Sequence, residues 1–246
     1  MQALDLFASV PQAPVLRPYQ STAIERASEA LARDDVRAAL LVAPTGSGKT
    51  VVAAEWIRRG AGQRFLFLAP RRELIGQTSR KLSDVGVRHG ILLAGKESKQ
   101  DLYQPVQVAS VDTLYSRAVR RQKLQLAPFH QIIIDEAHIG LTARREALLA
   151  LWPNAKILGL TATPCRADGK AMGQVYDEMI EVASVAQLTA EGHLVPARYY
   201  SVSEPDLKKV RTTAGDYNQL DLEGVMNRPK LVGDIVEHWH RHAAGR

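Results

Sequence analysis

The sequence predicts an α/β fold, with a mostly parallel sheet covered by helices on both faces. Three observations predict it. Short, near-continuous apolar runs recur along the chain. Helical patterns separate them, as in a sheet buried on both sides. The chemically distinctive residues follow directly after the runs, where open α/β sheets bind their ligands.

The elements read in order. Pro18 to Arg33 has a helical pattern opened by proline. Ala38-Ala39-Leu40-Leu41-Val42 is a buried strand that runs into a glycine-containing loop, and Lys49 to Arg59 is the next helix. Phe65 to Leu68 is a strand ending at Ala69-Pro70, followed by a helix over Arg71 to Leu82. Val106 to Ala109 is a strand, and Val111 to Arg120 is helical. Gln131 to Ile134 ends directly at Asp135, Arg144 to Leu151 is helical, and Ile157 to Leu160 ends at Thr161. Beyond Pro164, Val175 to Gly192 reads as mostly helical and Ala197 to Val202 as a late strand. Ser203 to Gly215 reads as a polar loop, and Tyr217 to His242 as a helical tail broken near Arg228-Pro229.

The chain has 246 residues, 46% of them hydrophobic and 24% charged, so a sizeable core can be buried. Net charge is +6. That suits an anionic partner such as nucleic acid, although solubility alone accounts for it as readily. The single cysteine, Cys165, excludes an internal disulfide and a thiolate zinc cluster. The start of the chain lacks the basic flank and apolar run of a signal peptide, and no stretch has the length of a membrane span. The expectation is a soluble, cytoplasmic protein.

The run Ala43-Pro44-Thr45-Gly46-Ser47-Gly48-Lys49-Thr50 lies between a strand and a helix. Glycines there let the backbone turn tightly and aim N–H groups at phosphate oxygens, helped by the positive end of the helix. Thr45, Gly46, Ser47 and Gly48 are the candidate phosphate cradle. Lys49 is expected at the β- and γ-phosphates and Thr50 on Mg²⁺. Asp135-Glu136 stands at the tip of an apolar strand, where carboxylates are costly unless paired or holding a metal. Asp135 is the candidate Mg²⁺ ligand and Glu136 the candidate base for an attacking water. The cofactors implied are ATP and Mg²⁺.

With these residues in place, the chain resembles the first RecA-like motor domain of superfamily 2 helicases and translocases, a P-loop NTPase fold. Asp135-Glu136-Ala137-His138 matches the DEAH form of the second motif, and Thr161-Ala162-Thr163 the third. Leu16-Arg17-Pro18-Tyr19-Gln20 is similar to the segment upstream of the phosphate loop. There the resemblance implies that Arg17 and Gln20 bind the nucleotide, Gln20 at the adenine edge. Leu68 to Leu74 resembles motif Ia and Ala109 to Leu114 motif Ib. Within the superfamily the chain most resembles the type III restriction subunit and RadD-like branch, on Arg166-Ala167-Asp168-Gly169 and on Leu188 to Pro196.

The resemblance implies that His138 links the nucleotide site to motif III, although a histidine there can also serve a purely local hydrogen bond. It gives Thr161 and Thr163 a coupling role as the γ-phosphate leaves. It places Pro70, Arg71 and Arg72 against nucleic acid, expected to be DNA. Ser110 and Thr113 join them, either bonding a phosphate or capping the following helix. The implied organisation is an N-terminal extension over 1–15, a RecA-like ATP-binding domain over 16–202, and a polar loop and helical tail over 203–246. Such motors use two RecA-like domains, the second supplying an arginine finger whose absence costs on the order of 10³ or more in rate. No second phosphate loop follows Pro196. The chain is therefore expected to act with a second RecA-like domain in cis or in trans, and to be weakly active alone. A nuclease or repair partner fits the same branch, and a membrane does not. The competing reading is a nucleic-acid-binding scaffold or partner module with little ATPase of its own.

Overall fold

The computed structural model describes residues 15–96, 100–139, 142–165, 172–197, 206–213, 216–227, 236–241 and 243. The chain forms two compact units, Met1–Val195 and Pro196–Arg246. The segment Arg166 to Gly169, all but the first residue of the strand expected over Ala197 to Val202, the break near Arg228-Pro229 and His242 lie outside the described residues.

The first unit is built on strands β1 (Ala38–Val42), β2 (Phe65–Ala69), β3 (His89–Leu92), β4 (Val106–Ser110), β5 (Gln131–Ile134), β6 (Lys156–Thr161) and β7 (Glu178–Glu181). They form one sheet in the order β3-β4-β2-β5-β6-β1-β7, and every pairing is parallel. Helices α1 (Pro18–Ala32), α2 (Lys49–Arg59), α3 (Arg72–Asp84), α4 (Val111–Leu114), α5 (Ala143–Leu149) and α6 (Val185–Ala190) surround it, and a π-helical stretch Tyr115–Arg120 continues α4.

The alternation of strand side chains sorts the helices. Ala39, Leu41, Phe65, Phe67, Ile133 and Leu158 point to the face that packs α1, α2 and α3. Ala38, Leu40, Leu66, Leu68, Ile132 and Ile134 point to the opposite face, against Leu114, Leu148 and Trp152. Both faces are thus apolar, so the inner strands read as continuous runs rather than alternating ones.

Two strands of this sheet depart from the sequence reading. The expected helix over 175–192 is instead β7 followed by the short α6, and β3 had no counterpart. Both lie at sheet edges. In β7 only Ile180 is buried, so the run carries no apolar signature. It is fixed instead by Asp177, whose carboxylate accepts from the N–H groups of Arg37 (2.8 Å) and Ala38 (2.9 Å) as β1 begins.

The second unit holds a 3₁₀ turn (Leu207–Lys209), a two-stranded antiparallel ribbon of β8 (Thr212–Thr213) and β9 (Asp216–Tyr217), and helix α7 (Gln219–Met226). Asn218 caps α7 by accepting from Asp221 N–H at 3.2 Å. Asp221 in turn holds Arg211 through both carboxylate oxygens, at 2.7 and 3.0 Å. Among the described residues, no helix is long and apolar enough to cross a membrane.

Candidate nucleotide and nucleic-acid site

The phosphate loop joins β1, which lies between β6 and the edge strand β7, to α2. Gly46 and Gly48 have φ of +85° and +88°, the left-handed region that glycine enters without penalty. Gly48 is the residue before α2, so the loop turns into the helix N-terminus. A Cβ on Gly48 would lie 2.5 Å from Gln20 Nε2, and one on Gly46 would lie 2.9 Å from Leu194 Cδ2. The loop is thus confined from two sides. Its start is pinned to motif III, where Ala43 N–H donates to Thr161 O at 2.9 Å.

Gln20 and Tyr19 tie α1 to this loop. Gln20 is buried, accepts from Arg17 N–H at 3.0 Å and donates from Nε2 to Ser47 O at 2.8 Å. Tyr19 Oη donates to the same carbonyl at 2.9 Å and accepts from Arg17 Nη1 at 3.0 Å. Arg17, Gln20 and the loop residues Thr45 to Thr50 therefore come together as the sequence suggests, and Tyr19 joins them unannounced. Ser47 Oγ is buried with no hydrogen-bond partner among the described residues, a polar atom left open inside the cradle.

Lys49 lies back along the loop, its ammonium donating to Ala43 O (3.1 Å) and Pro44 O (3.4 Å). Burial pulls its pKa down, while the charges of Glu136 and Asp135 oppose that shift. Asp135 is pushed up, first by burial and further by Glu136, whereas the backbone N–H of Glu136 and the positive charges of Lys49 and Arg145 pull it down. Its Oδ1 accepts from Glu136 N–H at 2.9 Å. A buried carboxylate with a raised pKa beside a hydroxyl-bearing helix start is an oxygen donor set that suits a hard divalent cation. Among the described residues there is no cluster of three or more His, Cys, Asp or Glu. A cation here would take most of its ligands from phosphate and water, as Mg²⁺ does.

Glu136 has φ +50°, rare for a non-glycine residue. This turn sets its carboxylate beside His138, with Oε2 3.2 Å from Nδ1. His138 Nδ1 also stands 3.2 Å from Thr161 Oγ1. Thr161 gives its hydroxyl proton to Thr163 O (2.8 Å) and accepts from Thr163 N–H (3.1 Å). With that proton committed, a proton on Nδ1 would be shared between Thr161 Oγ1 and Glu136 Oε2. Glu136, His138, Thr161 and Thr163 form one connected chain.

The expected nucleic-acid residues lie at the same carboxyl end of the sheet, one side over. They follow β2 and β4, whereas the nucleotide residues follow β1, β5 and β6. Arg71 caps α3 by position and is exposed, as is Arg72, while Pro70 is half-buried. Ser110 occupies the N-cap of α4 but makes no side-chain cap bond, and Thr113 Oγ1 accepts from Ala94 N–H at 3.3 Å. Thr113 therefore ties the start of α4 to the segment after β3 rather than capping. A cavity lined by Trp56, Gln63, Gln131 and Lys156 lies at the opposite, amino end of the strands. There Trp56 Nε1 donates to Gln131 Oε1, and Gln131 Nε2 donates to Gln63 Oε1.

Sequence reasoning missed Arg145. It is buried at 2% exposure, and its guanidinium donates to the carbonyls of Asp135 and Glu136. The sequence carried a signal for its burial but not for its partners: Arg145, Leu148 and Leu149 share the i, i+3, i+4 face that α5 buries.

Residues 13–166, well over half of the chain, match the family described as Type III restriction enzyme, res subunit. Among curated relatives, a 51.5 kDa protein of a Lactococcus phage is 31% identical over 84% of this chain and 42% of its own length. The putative ATP-dependent helicase IRC3 of Saccharomyces cerevisiae is 29% identical over 98% of this chain and 37% of its own length. The chain thus spans less than half the length of either relative. Among solved structures, the helicase domain of Pyrococcus furiosus Hef superposes with a TM-score of 0.54 at 23% identity, over 69% of this chain and 38% of that one. The Type ISP restriction-modification enzyme LlaGI gives 0.57 at 19% identity, over 73% and 21%. Both show the fold. The chain belongs to the type III restriction enzyme res subunit family and has a RecA-like α/β fold.

Proposed function

We propose that this chain is the ATP-hydrolysing half of a motor that moves along or unwinds nucleic acid, with DNA as the substrate. The observation that carries the proposal is the unbroken path from the Glu136 carboxylate through His138 to Thr161 and Thr163. A simple phosphate-binding protein has no need of it. ATP would seat its β- and γ-phosphates on the N–H groups of Thr45 to Lys49, with Lys49 leaving the loop carbonyls for the phosphate oxygens. Thr50 and Asp135 would hold Mg²⁺, which neutralises charge on the phosphates. Glu136 would take the proton of the attacking water. As the bond to the γ-phosphorus breaks, ADP and phosphate leave and the Glu136 carboxylate becomes protonated. Loss of its negative charge weakens its hold on His138, and the motif III hydroxyls feel the change.

Arg71, Arg72, Ser110 and Thr113 would bind the phosphate backbone, a sequence-independent and salt-sensitive contact. A second RecA-like domain would supply the arginine finger, and a nuclease or repair partner would complete the assembly in a cytoplasmic setting. LlaGI, a neighbour in fold, was solved as a nuclease-deletion mutant of a Type ISP restriction-modification enzyme in complex with a DNA substrate mimic. The test is ATP hydrolysis by the chain with and without single-stranded DNA, duplex DNA and RNA. Slow hydrolysis that requires Lys49 and Glu136 supports the motor. Nucleic-acid binding with no turnover dependent on Lys49 favours the scaffold reading.

A further inference from the structure

Arg145 is a buried cation packed behind the acidic pair. Nη1 donates to Glu136 O and Nη2 to Asp135 O, each at 3.4 Å. Burial pulls the pKa of the guanidinium down, while the charges of Asp135 and Glu136 oppose that shift. A buried charge is a poor way to gain stability, because an apolar side chain of similar size would pack as well without losing its hydration. Leu148 and Leu149 on the same helix face already supply apolar packing. What the guanidinium adds is a rigid planar fork that can engage two neighbouring acceptors at once. Among its acceptors are two successive main-chain carbonyls, and the second belongs to the residue with φ +50°. A left-handed non-glycine residue persists only where its surroundings enforce it.

We propose that Arg145 is a positioning residue for ATP hydrolysis, clamping the carbonyls of Asp135 and Glu136 so that the left-handed turn aims the Glu136 carboxylate at the attacking water. The inference rests on the proposed function in taking Glu136 as the base. Lysine keeps the charge but reaches one carbonyl at a time, whereas methionine reaches neither.

The test uses the full chain as wild type, Arg145→Met and Arg145→Lys, read first by amide hydrogen exchange without nucleotide. Exchange over residues 134–139 is expected to quicken at least tenfold in the methionine variant and less in the lysine variant, with β1 and α2 unchanged. In steady-state hydrolysis, kcat is expected to fall at least tenfold in Arg145→Met with the KM for ATP within twofold, and to recover in part in Arg145→Lys. Unchanged exchange at 134–139 overturns the clamp. So does acceleration across the whole sheet, or a kcat within twofold of wild type. If wild-type turnover proves independent of Lys49, the functional reading fails, and the exchange result still decides whether Arg145 holds the turn.

Discussion

His138 Nδ1 lies 3.2 Å from Glu136 Oε2 and 3.2 Å from Thr161 Oγ1, so one imidazole joins the carboxylate after β5 to the hydroxyl at the end of β6. If this bridge carries the hydrolysis signal, His138→Ala and Thr161→Val should each lower kcat about tenfold, equivalent to about 1.4 kcal/mol, and leave nucleotide affinity near wild type. The double variant should lose little more than either single one, because both remove the same link. Steady-state kinetics on the four chains checks this, and fully additive losses would break the proposed bridge.

Gly48 cannot be replaced cheaply. Alanine there would hold φ near +88°, at a cost of about 1–2 kcal/mol, with its Cβ driven against Gln20 Nε2. Gly48→Ala should lower the melting temperature and weaken ATP binding at least tenfold. Adding Gln20→Ala relieves the collision but not the backbone strain, so affinity should stay low. Titration with a fluorescent ATP analogue reads both.

The buried carboxylate of Asp135 should cost the nucleotide-free chain stability. Its folded pKa is raised, chiefly by burial, so folding favours the protonated form. Its contribution is therefore present below the unfolded carboxylate range and is lost as pH rises through the folded value. At neutral pH the charged form opposes folding, and Asp135→Asn should raise the melting temperature by a few degrees while abolishing Mg²⁺-dependent turnover. A lower melting temperature would show that the pull of Lys49 and Arg145 outweighs desolvation.

Tyr176 makes a second pH prediction at the alkaline end. Burial pushes its hydroxyl up to about 12. The folded chain thus resists ionisation, and this contribution, whole below pH 10, is lost as pH rises toward 12, by on the order of 3 kcal/mol. Urea unfolding across that range should show a decline that Tyr176→Phe flattens. The same ring explains Gly159 in β6, where a Cβ would sit 2.5 Å from Tyr176 Oη. Gly159→Ala should destabilise by about 1–3 kcal/mol through overpacking.

The five inner strands were legible because each is buried on both faces and so reads as an apolar run. The edge strands were not. β7 buries Ile180 alone, and β3 opens with His89 and Gly90. Gly90 is there because Gln107 crosses to Asp101 O, and a Cβ would collide with both. In the site, the phosphate loop and Asp135-Glu136 were legible because their chemistry is local: a turn that needs glycine, and carboxylates at a strand tip. Tyr19 and Arg145 were not, because what each touches lies 28 and about ten residues away in sequence and only packing brings them together. His138 stood between the two cases, its partner Thr161 being identified by resemblance rather than by any local pattern.

The central claim is that Lys49, Thr50, Asp135 and Glu136 make one working Mg-ATP site. The most direct measurement is ATP hydrolysis by the isolated chain with Mg²⁺ or with chelator, in wild type, Lys49→Ala and Glu136→Gln. A slow Mg²⁺-dependent turnover is predicted in the wild type, with Lys49→Ala losing both nucleotide binding and turnover. Glu136→Gln should still bind ATP and fail to cleave it. Turnover that survives either substitution, or that persists without Mg²⁺, would contradict the account.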